Sequence, residues 1–163
     1  MKKLLFLTVL LFLFFSCRQN DDIKTDKDSD YEFQSSDGTI TIINPVMRPS
    51  AKGMNSAIFL SIKNNSLIAD SLFSVESDIA ELVEIHETFR VNKDKMGMRH
   101  VEHVVIQPDS IVMLEPGSYH IMLIDLYQDA VIGKEVKAIL LFKHAGEITI
   151  TAQVKDLLNI SNR

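Results

Sequence analysis

The segment SYHIMLIDL, residues 118–126, has the alternation of side chains that is typical of a β-strand. Successive side chains of a strand point to opposite sides, so the apolar residues Ile121 and Leu123 share one face. His120 and Met122 share the other face, where two positions on a strand lie about 6.5 to 7 Å apart at Cα. The strand is therefore predicted to present an apolar face to a core and an imidazole beside a thioether on its opposite face.

Short runs rich in Ile, Val, Leu and Phe continue from Gly38 almost to the C-terminus, and they are separated by Asn, Gly, Pro and Asp. Such a pattern predicts an all-β sandwich or barrel, and 163 residues suit a single domain. No long amphipathic helix and no internal repeat is found. Strands are predicted over Thr39–Asn44, Asn55–Asn64, Ser71–Val75, Leu82–Val91, Met98–Ile106, Ser110–Leu114, Tyr119–Leu126, Val136–Lys143 and Glu147–Val154.

Residues 1–16 are predicted to be a bacterial lipoprotein signal peptide. Two lysines precede the apolar run Leu4–Phe15, which is too short to cross a bilayer as a helix. The run ends in LFFSC, so Cys17 is the expected site of cleavage and acylation, although Phe14 replaces the more usual Leu. The alternative is a plain secretory signal in which the cysteine is incidental. Both interpretations predict export.

Residues 17–36 are polar and charged, and are predicted to form a lipidated tether. The folded domain is then expected over residues 37–155, with a short tail over 156–163. Of the 17 basic residues, Lys2 and Lys3 leave with the signal peptide, so 15 remain against 22 acidic residues, a net charge of −7. This balance argues against a nucleic-acid partner, because phosphate binding requires clustered Lys and Arg.

Cysteine content narrows the chemistry further. Cys17 is the only cysteine, and if it carries lipid the folded part has no thiol for a disulfide, a zinc–thiolate site, an iron–sulfur cluster or a nucleophile. A metal would have to be held by His, Met, Asp or Glu. A thioether suits copper, and Cu(I) above all, better than calcium, magnesium or zinc. Blue-copper electron carriers need a Cys thiolate, so copper carriage is favoured over electron transfer.

Further His and Met residues lie in LVEIHETF and MGMRHVEHV. His86 is predicted to share the outward strand face with Glu84, and Met96 and Met98 have the same two-residue spacing. Taken singly, a histidine or a methionine is more often structural than a ligand. The pairing of His120 with Met122 on a polar face favours a metal site.

The span from Ile42 to Val154 resembles the PCu(A)C periplasmic copper chaperones, in which a His is followed after about ten residues by Met, and after twenty-one more by His-x-Met. Here eleven residues separate His86 from Met98, twenty-one separate Met98 from His120, and Met122 completes HIM. The segments VEIHET, LEPGSYHIMLIDL and FKHAGEITI also resemble the corresponding sequences of that family.

The resemblance implies a cupredoxin-like Greek-key barrel or sandwich that binds copper, as Cu(I), through His86, Met98, His120 and Met122. It further implies delivery to a copper-accepting protein, such as a terminal oxidase subunit or another copper chaperone. The extra residue in the first interval falls in the VNKDK turn, which leaves Met96 as an alternative to Met98. The intact twenty-one-residue interval favours Met98.

The remaining His and Met residues are given lesser roles. His100 stands where the family often has proline, and together with His103 it is predicted either to form an auxiliary site or to be solvated. Met47, Met54 and Met113 are predicted to pack in the interior.

Two other classes of function stay open at this point. One is a non-metal β-sandwich lipoprotein that binds a protein or a glycan at the cell surface. The other is an enzyme, but HETFR has Arg90 where a zinc protease helix requires its second histidine, and no GxSxG elbow occurs. We therefore expect a non-catalytic carrier.

Overall fold

The computed structural model describes residues 31–157. The predicted signal peptide, Cys17 and most of the predicted tether lie outside this range. The described residues form eleven strands, and they include no helix with the length and apolar character needed to cross a bilayer. The strands are β1 (Glu32–Gln34), β2 (Ile40–Met47), β3 (Ser56–Asn64), β4 (Asp70–Glu76), β5 (Ala80–Asn92), β6 (Lys95–His100), β7 (Val104–Ile106), β8 (Ile111–Leu114), β9 (Tyr119–Leu126), β10 (Glu135–Phe142) and β11 (Gly146–Val154).

The strands form one sheet in the order β6-β5-β9-β3-β2-β11-β10-β4-β7, with β1 added to β2 and β8 added to β3. Only the β11–β2 pair is parallel among the pairs in the described residues. One core cluster contains Ile85 of β5 near one end of this order and Val104 of β7 at the other end. The sheet therefore curves around a single interior, and the prediction of an all-β single domain is confirmed.

One predicted strand is two strands in the structure. β6 ends at His100 and β7 begins at Val104, and the two pair with β5 and β4 respectively, at opposite ends of the strand order. The apolar pattern runs on through Val101, which packs against the core although it belongs to neither strand. Hydrophobic alternation alone could therefore not reveal the break.

The sheet begins before the predicted domain boundary at residue 37. β1 pairs with β2, and Phe33 packs against the core. Asp37 turns the chain between these strands by accepting hydrogen bonds from the Ser35 hydroxyl and from the Thr39 hydroxyl and backbone N–H. These bonds, led by that from Ser35, lower the pKa of Asp37 to about 2. The sequence around Phe33 is too polar to predict a strand.

The register of the β5–β6 hairpin follows from the packing on one of its faces. Phe89 pairs with Gly97, and its ring lies so close that a Cβ on Gly97 would come within 3.0 Å of it. The guanidinium group of Arg99 lies 5.0 Å from the centre of the same ring. This face is filled by the aromatic ring, so the side chains of Met98 and His100 project from the other face.

The methionines predicted to pack inside divide into two groups. Met47 is fully buried, as predicted. The prediction is wrong for Met54 and Met113, which are exposed. Met54 lies in the turn before β3, and Met113 lies opposite Ser61 on a partly solvated strand pair.

Candidate metal centre

Two histidines meet on the outer face of the sheet. β9 lies between β5 and β3, and its register places His120 directly opposite His86 of β5. Directly opposed residues of an antiparallel pair share a face, with side chains in contact range. The two ring centroids are 5.9 Å apart and the ring planes are inclined at 62°. The fold thus brings together two imidazoles that are far apart in the sequence.

His120 is buried even though it points away from the main core. Its exposed fraction is 5%, because the ring of Phe59 covers one side at 6.2 Å and His86 lies on the other. Burial lowers the pKa of His120; a hydrogen bond to Ser118 opposes this effect, and electrostatic interactions with His86 and Arg48 add to it. The neutral imidazole is therefore favoured, and this is the form that has a lone pair for a metal.

Each of the two imidazoles has one nitrogen engaged and one nitrogen free. The Nδ1–H of His120 donates to the carbonyl oxygen of Ser118 over 3.1 Å, which leaves Nε2 free. Nε2 of His86 lies 2.7 Å from a carboxylate oxygen of Glu84. Nδ1 of His86 is buried and has no hydrogen-bond partner among residues 31–157. The free nitrogens are thus Nε2 on one ring and Nδ1 on the other.

Met122 lies two residues beyond His120 on the same face of β9. Its register partners are Glu84 on β5 and Ala57 on β3, and its side chain is half-buried. Ala57 is small, so it leaves space beside the thioether. The side-by-side placement of His120 and Met122 agrees with the alternation of the sequence.

The register of β6 distinguishes the two methionines of MGMRH. His100 pairs with His86, and Met98 is the next residue along the same face of β6. Met96 is two residues further, which places it about 13 Å from His100 at Cα. Met98 is 59% exposed and Met96 is 52% exposed, so exposure does not separate them. The two methionines differ in their distance from the imidazoles, and the shorter distance favours Met98.

His100 extends the pair of imidazoles into a row. Its ring lies 6.3 Å from that of His86, with the ring planes inclined at 75°. The row therefore runs across three neighbouring strands, from buried His120 on β9, through His86 on β5, to exposed His100 on β6. His103 lies in the irregular segment between β6 and β7, and within residues 31–157 it makes no ring contact with the other histidines.

The kind of donor that this surface offers is restricted. Within the described part of the chain, no group of three His, Cys, Asp or Glu side chains is placed to hold a metal ion. The face that bears His86 and His120 also bears Met98 and Met122, so imidazole nitrogen and thioether sulfur are available together. Such a donor set fits a soft ion and is poorly suited to zinc, calcium or magnesium.

Two residues at this surface have no role in the sequence-based prediction. Phe59 covers His120 from β3, and nothing in the local sequence of either strand indicates that contact. Glu84 bonds His86, and here a signal does exist: the two-residue spacing that pairs His120 with Met122 also pairs Glu84 with His86.

Comparisons with known proteins agree with this fold. A family model described as "Putative lipoprotein LpqE-like" matches residues 40–154. No curated protein shows significant sequence similarity to the chain.

Solved structures of the PCuAC type share the architecture. The copper-bound PCuAC domain from PmoF2 is 25% identical, with a TM-score of 0.63 over 77% of this chain and 97% of that domain. The apo PCuAC domain from PmoF1 is 24% identical, with a TM-score of 0.62 over 77% of this chain and 98% of that domain. The Cu(I) form of DR1885 from Deinococcus radiodurans is 18% identical, with a TM-score of 0.51 over 68% and 76% of the two chains, which shows a shared fold.

Proposed function

The chain belongs to the LpqE-like family, and on that premise we propose that it binds Cu(I) as cargo and delivers it to a copper-accepting protein. The likeness to PCuAC domains agrees with the resemblance predicted from the sequence, and one of those domains is a copper-bound form. The observation that carries the proposal is the contact of His86 with His120, at 5.9 Å between ring centroids, on the face that also bears Met98 and Met122.

His86, His120, Met98 and Met122 are the proposed ligands. Within the described residues, the two imidazoles each have a nitrogen without a hydrogen-bond partner, and the two thioethers have no proton to lose before they bind. Soft sulfur donors combined with imidazole select Cu(I) over the harder divalent ions. Met98 is preferred to Met96 because it is nearer to His86 along β6.

The exposure of the ligands supports a carrier that releases its metal. Met98 is 59% exposed and lies on a strand at the end of the sheet order, where an acceptor has access to it. An acceptor that first replaces the exposed thioether would begin the transfer of copper before the buried imidazole of His120 releases the ion. A site made for permanent retention would have no need of an exposed ligand.

The setting in the cell is part of the same proposal. Residues 1–16 act as a signal peptide, Cys17 carries a lipid anchor, and the following polar residues tether the domain to a membrane. The lipoprotein description of the family supports export and anchoring. The acceptor is then an exported or membrane-bound copper protein, such as a terminal oxidase subunit or another copper chaperone, and the chain itself catalyses no reaction.

Competition for Cu(I) with a chromophoric chelator, under anaerobic conditions, tests copper binding. The wild-type chain is expected to take up one Cu(I), and Met122→Ala is expected to bind it more weakly. Met54→Ala is the matched control, since Met54 is an exposed methionine in a turn and is expected to leave the affinity unchanged. X-ray absorption of the loaded protein should detect both nitrogen and sulfur neighbours of copper.

Two results would contradict the proposal. A wild-type chain without saturable binding would favour the non-metal lipoprotein alternative. Equal affinity in the wild type and Met122→Ala, with only nitrogen and oxygen around copper, would remove the thioether ligand from the site.

A further inference from the structure

Glu84 makes the closest polar contact at the proposed copper site. It lies two residues before His86 on the same face of β5, and its carboxylate oxygen is 2.7 Å from Nε2 of His86. The side-chain exposure is 29% for Glu84 and 15% for His86, so the pair is largely shielded from water. Glu84 is also the register partner of Met122, which places the carboxylate beside a proposed sulfur ligand.

The other nitrogen of His86 is the unusual feature. Nδ1 is buried and has no hydrogen-bond partner in the described part of the chain, and buried polar atoms in native proteins almost always have one. An ionised carboxylate can only accept a hydrogen bond, so contact with Glu84 retains the imidazole proton on Nε2. Nδ1 of the neutral ring then keeps its lone pair, and an unpaired lone pair is what a metal ligand requires.

We propose that Glu84 is a positioning residue that holds the proton of His86 on Nε2 and thereby presents Nδ1 to copper. This inference rests on the proposed function. His120 has the complementary arrangement, because its Nδ1–H donates to Ser118 and its Nε2 is free. Copper is therefore bound by Nδ1 from β5 and by Nε2 from β9.

The carboxylate has a second effect on the site. Neutral imidazoles and thioethers leave the full positive charge of Cu(I) uncompensated, and Glu84 supplies a negative charge close to it in a partly buried environment. A carboxylate hydrogen-bonded to a metal-binding histidine also raises the basicity of that ligand and fixes its ring orientation. Glu84 acts through His86 rather than as a ligand, because a hard oxygen is a poor donor for Cu(I).

Nitrogen-resolved NMR of the histidine rings tests the inference, in the copper-free protein and in the diamagnetic Cu(I) form. In the wild type, His86 is expected to carry its proton on Nε2, and Cu(I) is expected to shift the resonance of Nδ1. Glu84→Gln replaces the carboxylate with an amide that both accepts and donates, so both tautomers should become populated. The Cu(I) affinity should fall about 10- to 100-fold, the usual loss when a partner of a metal-binding histidine is removed.

Glu87→Gln is the matched control. Glu87 is one residue after His86 and carries the same charge, but its partner is Arg99 at 2.7 Å. The control should leave the tautomer and the Cu(I) affinity at their wild-type values. A comparable loss of affinity in both variants would mean that net charge alone is responsible, and it would overturn the role of Glu84.

The two levels of the proposal fail in different ways. A wild-type protein that binds Cu(I) but has the His86 proton on Nδ1, or whose Nε2 resonance is the one shifted by copper, overturns the inference and leaves the proposed function standing. A wild-type protein that binds no Cu(I) overturns the proposed function, and the assignment of Nδ1 as a copper donor with it.

Discussion

The two strands that carry His and Met side chains, β9 and β6, present them in opposite ways. β9 is paired on both sides, with β5 and β3, whereas β6 lies at the end of the strand order and, among the described strands, pairs with β5 alone. His120 of β9 is 5% exposed, and Met98 of β6 is 59% exposed. His and Met side chains are therefore more shielded on β9, where Met122 is half-buried, than on β6, where His100 and Met98 are exposed.

This difference separates two requirements of a carrier. A donor that is already held in place loses little conformational freedom when metal binds, so it contributes more of its binding energy to affinity. An exposed donor on a sheet edge loses more freedom, but an approaching protein has access to it. We infer that β9 provides retention and β6 provides exchange, with His86 of β5 between them.

Removal of the shielded histidine is expected to have the largest effect. His120→Ala should weaken Cu(I) binding by more than the roughly 10- to 100-fold that loss of an outer-sphere partner costs, because it removes a ligand that is held in place. His100→Ala removes an exposed imidazole from the other end of the row and should change the affinity far less. Chelator competition measures both, and far-UV circular dichroism confirms that each variant retains its strands.

The opposite order of affinity losses would contradict the roles inferred for β9 and β6. If His100→Ala lost more affinity than His120→Ala, the centre of the site would be the His86–His100 pair, and β6 would retain the metal rather than exchange it.

An intermediate effect is expected for the methionines of β6. Met98→Ala should weaken Cu(I) binding about tenfold, or ~1.4 kcal/mol, because an exposed ligand contributes less than a shielded one. Met96→Ala is the matched control, with the same residue type and similar exposure but two residues further from His86. Copper X-ray absorption should show one fewer sulfur neighbour in Met98→Ala only. Equal losses in the two variants would contradict the register argument.

The β9 half of this surface was predictable from the sequence. His120 and Met122 alternate with Ile121 and Leu123, which are fully buried, so strand periodicity alone placed the imidazole and the thioether on the outer face. The family-like spacing added His86 and Met98 as their partners.

The rest depended on tertiary register. Periodicity gives the face of a residue but not its neighbour across the sheet, so neither the Phe59 cover over His120 nor the contact of His86 with His100 could be predicted. The division of one predicted strand into β6 and β7 was hidden because Val101 continues the apolar pattern while the chain leaves one partner strand for another.

The smallest expected effect concerns pH and the shielded imidazole in the copper-free protein. Burial, together with electrostatic interactions with His86 and Arg48, lowers the pKa of His120 from 6.5. As pH falls through 6.5, the unfolded chain takes up a proton at this position while the folded chain does not, so the free energy of unfolding decreases.

Urea titrations above and below that pH should show a smaller decrease for His120→Gln than for the wild type. His100→Gln should show the same decrease in the free energy of unfolding as the wild type, because it retains the buried ring of His120 on β9. If both variants lost the pH dependence equally, the energetic difference between the shielded and exposed ends of the histidine row would be disproved.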